Sequence, residues 1–161
     1  MHKLRENYMF GKKTAVIYFS RSGVTKGIVD NFPLEEGDRV IELIPSVPYP
    51  KSYFKTLARA KAEIEGNVSV DLENPKQDLR GFERILIGFP IWFWTCPKAV
   101  TSFISENNLK GKTIYPFCTS GGIQITEAVD EIKRTAEGAI VKKGIRFKRY
   151  SEDTLIRLLE Q

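Results

Sequence analysis

The chain has 161 residues, 42% of them hydrophobic and 12 of them glycine, enough for residues 1–161 to form a single domain with a core of its own. No apolar run approaches the roughly 20 residues of a membrane span and no secretory stretch opens the chain; two cysteines and one histidine, His2, give neither a disulfide framework nor a metal site, so a cytoplasmic protein without metal is expected. The net charge of +5 collects at a basic N-terminal extension, residues 1–12, and over residues 133–150; without aromatic–basic interleaving it predicts no nucleic-acid binding, and lysines on a terminal edge strand also protect against edge-to-edge pairing.

Residues 12–20, "KKTAVIYFS", read as a buried strand, ended by the turn residues "SRSG". A helix follows, with Val24, Ile28, Val29 and Phe32 on its inner face and Gly27 expected to allow close approach to a sheet. "DRVIELIP" is a second strand, closed by a proline-rich segment. Over residues 51–65, Tyr53, Leu57, Ala60 and Ile64 share one helical face and Lys55, Arg59 and Glu63 the other, with Gly66 as the stop. "FERILIGF" is the third strand. Thr95 is expected as N-cap and Pro97 in the first turn of a helix that buries Val100, Phe103 and Ile104. "KTIYPFC" is the fourth strand, and the next helix buries Ile125, Ala128, Val129 and Ile132. A short fifth strand falls within residues 139–149, and Leu155, Ile156 and Leu159 face inward from a last helix. Strands alternating with helices predict a doubly wound α/β fold around a five-stranded parallel sheet.

In such sheets ligands sit outside the carboxyl ends of the strands. The unusual loops gather there: "SRSGVTK" after strand one, "PIWFWTCP" with both tryptophans after strand three, and "TSGG" after strand four. Ser20, Ser22 and Thr25 bracket Gly23 where a helix begins, a pattern that suits a phosphate, while Ser22 as a simple helix cap is the plainer alternative. Flat aromatics two loops away suit a planar ring. Other phosphate folds fail on chemistry. "LKGKT" has Glu106 where a P-loop requires glycine, no G-x-G-x-x-G follows strand one, and the first loop has neither a nucleophilic cysteine nor the acidic residues of a receiver domain. No G-x-S-x-G elbow occurs.

The stretches "YFSRSGVTK", "PSVPYPKSY", "IGFPIWFWTCP" and "PFCTSGG", in this order and spacing, resemble the short-chain, FMN-binding flavodoxin family over about residues 13–149. The resemblance implies strand order 2-1-3-4-5 and noncovalent FMN, its phosphate on the first loop and its isoalloxazine between the second and third. By that likeness Ser20, Ser22, Gly23, Val24 and Thr25 hold the phosphate. Pro90, Ile91, Trp92 and Phe93 line the ring, and Ser120, Gly121 and Gly122 close its other edge. Two departures stand out. Val24 replaces the usual asparagine and offers only its N–H, and Phe93-Trp94 stand where Trp-Gly is common, although a side chain resists positive φ. The loop is therefore expected to differ in shape.

Cys96 and Cys118 are read as packed core residues rather than reactive thiols, and Tyr49 and Tyr53 either roof the site or pack their helix on the sheet. The implied function is electron transfer through FMN to a redox partner protein or small-molecule acceptor, with no catalytic side chain. Two rivals remain: an NAD(P)H-dependent quinone-type oxidoreductase of the same fold, and a flavodoxin-shaped interaction module without FMN.

Overall fold

The structure, a computed structural model, describes residues 12–161; apart from Lys12, the basic extension expected over residues 1–12 lies outside the described residues, as does His2. Runs of buried, mostly hydrophobic side chains form the central strands β1 (Thr14–Tyr18), β3 (Arg84–Pro90) and β4 (Thr113–Thr119), and the shorter, more exposed β2 (Arg39–Glu42) lies at the sheet edge. They pair in parallel in the order β2-β1-β3-β4, and the fifth position completes the expected sequence. That position is filled by two short strands, β5 (Ile140–Val141) and β6 (Ile145–Phe147), both parallel to β4. The interruption has a local cause. Lys142 N donates to Ile114 O, so Ile114 faces this edge, and two residues on Pro116 faces it with no N–H to give. Gly144, at φ +78°, turns the chain there, packed so close to Pro116 O that a Cβ would come within 2.9 Å of it.

Successive strand residues point to opposite faces, and both faces are covered. Ala15, Ile17, Ile85, Ile87, Phe89 and Ile114 pack with Ala60 of α2 (Tyr53–Glu65), Phe103 of α3 (Lys98–Glu106) and Ile132 of α4 (Thr126–Thr135). Val16, Tyr18, Leu86 and Phe117 pack with Ile28 of α1 (Val24–Val29) and Leu155 and Leu158 of α5 (Glu152–Leu159). Ser52 and Ser151 cap α2 and α5 with their hydroxyls.

Several side chains depart from their expected places. Val24 does not join the inner face of α1 but is 59% exposed at a cavity mouth. In α2 the supposed outer residues Arg59 and Glu63 turn in toward the preceding loop: Arg59 lies 4.0 Å above the ring of Tyr49 and Nε donates to Glu63 Oε1 at 2.7 Å. Tyr53, expected inside, is exposed. Leu158 is fully buried in α5, whereas Ile156 is only partly so.

The close approach expected at Gly27 occurs instead at Gly88. Gly27 is exposed, with nothing within 4 Å of a would-be Cβ, whereas a Cβ on Gly88 would collide with the ring of Phe117, its cross-strand partner on β4. Gly88→Ala should therefore destabilise the fold by about 3 kcal/mol through overpacking. Gly27→Ala, in an exposed helix interior, should stabilise it by roughly 0.5–1 kcal/mol. Urea melts of the two variants check both signs.

Candidate functional site

The loop after β1 folds back on the hydroxyl of Ser20, whose Oγ accepts from the N–H of Gly23 and of Lys26, each at 3.2 Å. Gly23 sits at φ +90°, a conformation for which a side chain would be strained, and its carbonyl accepts from Gly27 N. Arg21 reaches away from the loop tip to Thr56 Oγ1 and to the carbonyls of Pro50 and Lys51, tying the loop to the start of α2. Among the described residues no acceptor meets the backbone N–H of Ser22, Val24 or Thr25. These donors are what the loop offers a ligand.

Buried Thr25 lies 2.9 Å from Thr119 at the end of β4, hydroxyl to hydroxyl. Thr119 O also accepts from Ile91 N, so one residue joins the first loop to the third-strand loop.

The aromatic loop is a four-residue turn. Trp92 and Thr95 exchange backbone hydrogen bonds of 2.9 and 3.0 Å, and the two residues between them, Phe93 at φ +48° and Trp94 at φ +65°, both lie in the left-handed region. That is the backbone of a type I′ turn, which ordinarily calls for Asn and Gly. The shape that glycine would favour is thus adopted without it. Neighbours hold it there: Trp92 is 8% exposed, edge-on to Phe19 at 5.3 Å and Tyr49 at 5.0 Å, and Phe93 packs on the core. The turn also overturns the expected helix start. Thr95 is taken up in it and caps nothing; α3 begins at Lys98 after Pro97, with no side-chain cap.

Tyr49 donates to Glu63 Oε2 at 2.5 Å, and burial together with that carboxylate holds its phenol well above the usual range. It packs α2 on the sheet. Tyr53 is the one that reaches the cavity.

That cavity, about 400 Å³, opens outside the carboxyl ends of β1, β3 and β4. Ser20, Ser22, Val24 and Thr25 line one end, Pro90, Ile91 and Trp92 another, and Ser120 and Gly121 a third. Gly23, Phe93 and Gly122 do not reach it. Arg21, Tyr53, Thr119, Phe147 and Lys148 line it as well, beyond the predicted set. The last three meet the site only through β4–β6 pairing or at a strand end, which no local pattern signals. A larger groove of about 700 Å³ lies between α3 and α4, but it is polar, lacks an aromatic lining, and holds Lys98 on Asn67 Oδ1 and Arg134 on Glu131. Nothing there would stack a planar ring.

The family model described as Flavodoxin matches residues 13–161. The chain belongs to the flavodoxin family. Among solved structures, this flavodoxin-family chain is similar to a protein of Bacteroides eggerthii DSM 20697, provisionally named a flavoprotein, at 27% identity and TM-score 0.83 over 93% of this chain and 97% of that one. A protein of Bacteroides uniformis ATCC 8492 with the same provisional name matches at 27% identity and TM-score 0.78, over 94% and 99%. A flavoprotein of Lactobacillus acidophilus NCFM in complex with FMN shares the fold at 23% identity and TM-score 0.74, over 94% and 100%. None of the curated proteins compared matches the chain. No helix among the described residues is long and apolar enough to cross a membrane, and no group of side chains there could hold a metal ion.

Two outcomes follow for the loop and its neighbour Cys96. A β-branched residue is poorest at positive φ, so Trp94→Val should lower stability by roughly 1–2 kcal/mol relative to Trp94→Gly in paired melts. Cys96 and Cys118 are both buried, and burial pushes each thiol up to about 12, with Glu131 adding to the rise at Cys96. At pH 8 both are protonated. The native protein should consume no Ellman's reagent, and both thiols should react once it is unfolded.

Proposed function

We propose that the chain holds FMN noncovalently in the cavity at the strand ends and passes electrons through it. The observation that carries this reading is the pairing of two unlike walls in one cavity: N–H groups of Ser22, Val24 and Thr25 with no acceptor, and the apolar rim of Pro90, Ile91 and Trp92. A phosphorylated tail suits the first wall and a flat ring the second. The residues present therefore fit the group that the resemblance implies. The FMN complex of the Lactobacillus flavoprotein, spread over nearly the whole of this chain, supports the same reading.

When bound, the flavin supplies the redox chemistry, and the protein's part is to bind and orient it. Ser22, Val24 and Thr25 would grip the phosphate through backbone donors, and Ser20, whose Oγ accepts from Gly23 and Lys26, keeps its O–H to give. Pro90, Ile91 and Trp92 would line the ring, with Trp92 held rigid from behind by Phe19 and Tyr49. Ser120 is itself fixed, its Oγ donating to Ile123 O at 2.6 Å and its carbonyl accepting from Arg146, so its loop forms a firm third wall beside Gly121. Tyr53, 59% exposed at the mouth, and its neighbour Phe54, 82% exposed, give an aromatic surface beside the cavity that suits the docking of an acceptor, either a partner protein or a small molecule. The free donors argue against a module that has lost its cofactor.

Apo-protein titrated with FMN and with riboflavin, followed by quenching of flavin fluorescence, should show FMN bound at least tenfold more tightly. Ser22→Asp, which places a carboxylate beside the phosphate, should weaken FMN by a further order of magnitude through like-charge repulsion. Equal affinity for the two flavins would refute the phosphate assignment.

A further inference from the structure

We propose that Lys148 is the residue by which this chain selects a phosphorylated flavin, its ammonium supplying charge that the first loop lacks. The inference rests on the FMN reading above and adds a specificity-determining side chain to it.

The placement follows from a chain of fixed contacts. Thr25, in the first turn of α1, is bonded to Thr119, Thr119 pairs with Phe147 across the β4–β6 ladder, and Lys148 is the next residue. Adjacent strands lie about 4.8 Å apart, so the Lys148 backbone sits on the order of 10 Å from the loop, within reach of a four-carbon stem. Phe147 is 1% exposed and anchors that backbone, and Lys148 lines the same cavity as Ser20, Ser22 and Thr25.

The need for charge follows from the loop itself. A terminal phosphate monoester carries roughly −1.5 to −2 charges at neutral pH. Helix α1 has only 6 residues, under two turns, and the donors free to act in the loop are neutral. The neighbouring cations are already engaged: Arg21 with Thr56 and two carbonyls, Lys26 with Asp30 at 2.7 Å, and Arg146 with Ser120 O. Lys148 meets no carboxylate and no other hydrogen-bond acceptor among the described residues. It is the cation on this cavity wall with its donors free.

The test compares FMN with riboflavin on apo-protein, parent and variants, by fluorescence quenching at low and high salt. Lys148→Gln should loosen FMN by about tenfold, leave riboflavin within about twofold, and flatten the salt dependence of FMN binding. Lys148→Arg should restore most of the loss, and because Lys148 is exposed, the apo melts of all three proteins should coincide. If the parent prefers FMN and Lys148→Gln keeps that preference, or loses both flavins equally, the role of Lys148 is overturned while the FMN reading stands. A parent that does not distinguish the two flavins overturns both.

Discussion

The hydrogen bond between the hydroxyls of Thr25, in the first turn of α1, and Thr119, the last residue of β4, ties together the two loops that these elements border, across 94 residues of sequence. Hydroxyls buried this thoroughly must be paired, because an unpaired one costs about 1–3 kcal/mol, so the two loops cannot drift apart cheaply. The same threonine carbonyl holds Ile91, and the same strand end sets the register of Phe147. Three loops and an edge strand thus converge on one residue. The cavity is open space that the convergence leaves between them.

Around this anchor the protein combines rigid and strained parts. Behind the cavity, Phe19, Tyr49 and Trp92 form an edge-to-face cluster, and Arg59 and Glu63 of α2 clamp Tyr49 from above. In the loop after β3, Phe93 and Trp94 hold a left-handed turn that neither residue favours. Strain of this kind persists where the surroundings over-determine it, and here the Trp92–Thr95 bonds and the buried segment from Cys96 onward do so. The turn exposes Trp94 while keeping Trp92 inside, so of the two tryptophans in this loop one is wall and the other surface.

The central strands were legible in the sequence because strands buried on both faces give near-continuous apolar runs, and β1, β3 and β4 are of that kind. The loops were legible by residue type, since hydroxyls, glycines and aromatics cluster after strands one, three and four. What stayed hidden depends on partners distant in sequence. Gly27 and Gly88 look alike locally, and only the pairing of Gly88 with Phe117 shows which one needs to be glycine. Arg59 and Glu63 read as solvent-facing until Tyr49 is placed beneath them. Thr95 has the chemistry of an N-cap but is taken by a turn that the side chains of Phe93 and Trp94 argued against. Pro116 splitting the fifth strand, and Lys148 arriving at the cavity through β6, follow from pairing across the sheet.

The central claim, that the cavity at the strand ends is where the flavin sits, is tested most directly by amide chemical-shift mapping of the ¹⁵N-labelled protein on addition of FMN. The largest changes should fall on Ser22, Val24, Thr25, Trp92, Ser120 and Gly121, with the groove of Asn67, Lys98 and Glu131 unmoved. Changes centred on that groove, or no changes at saturating FMN, would contradict it.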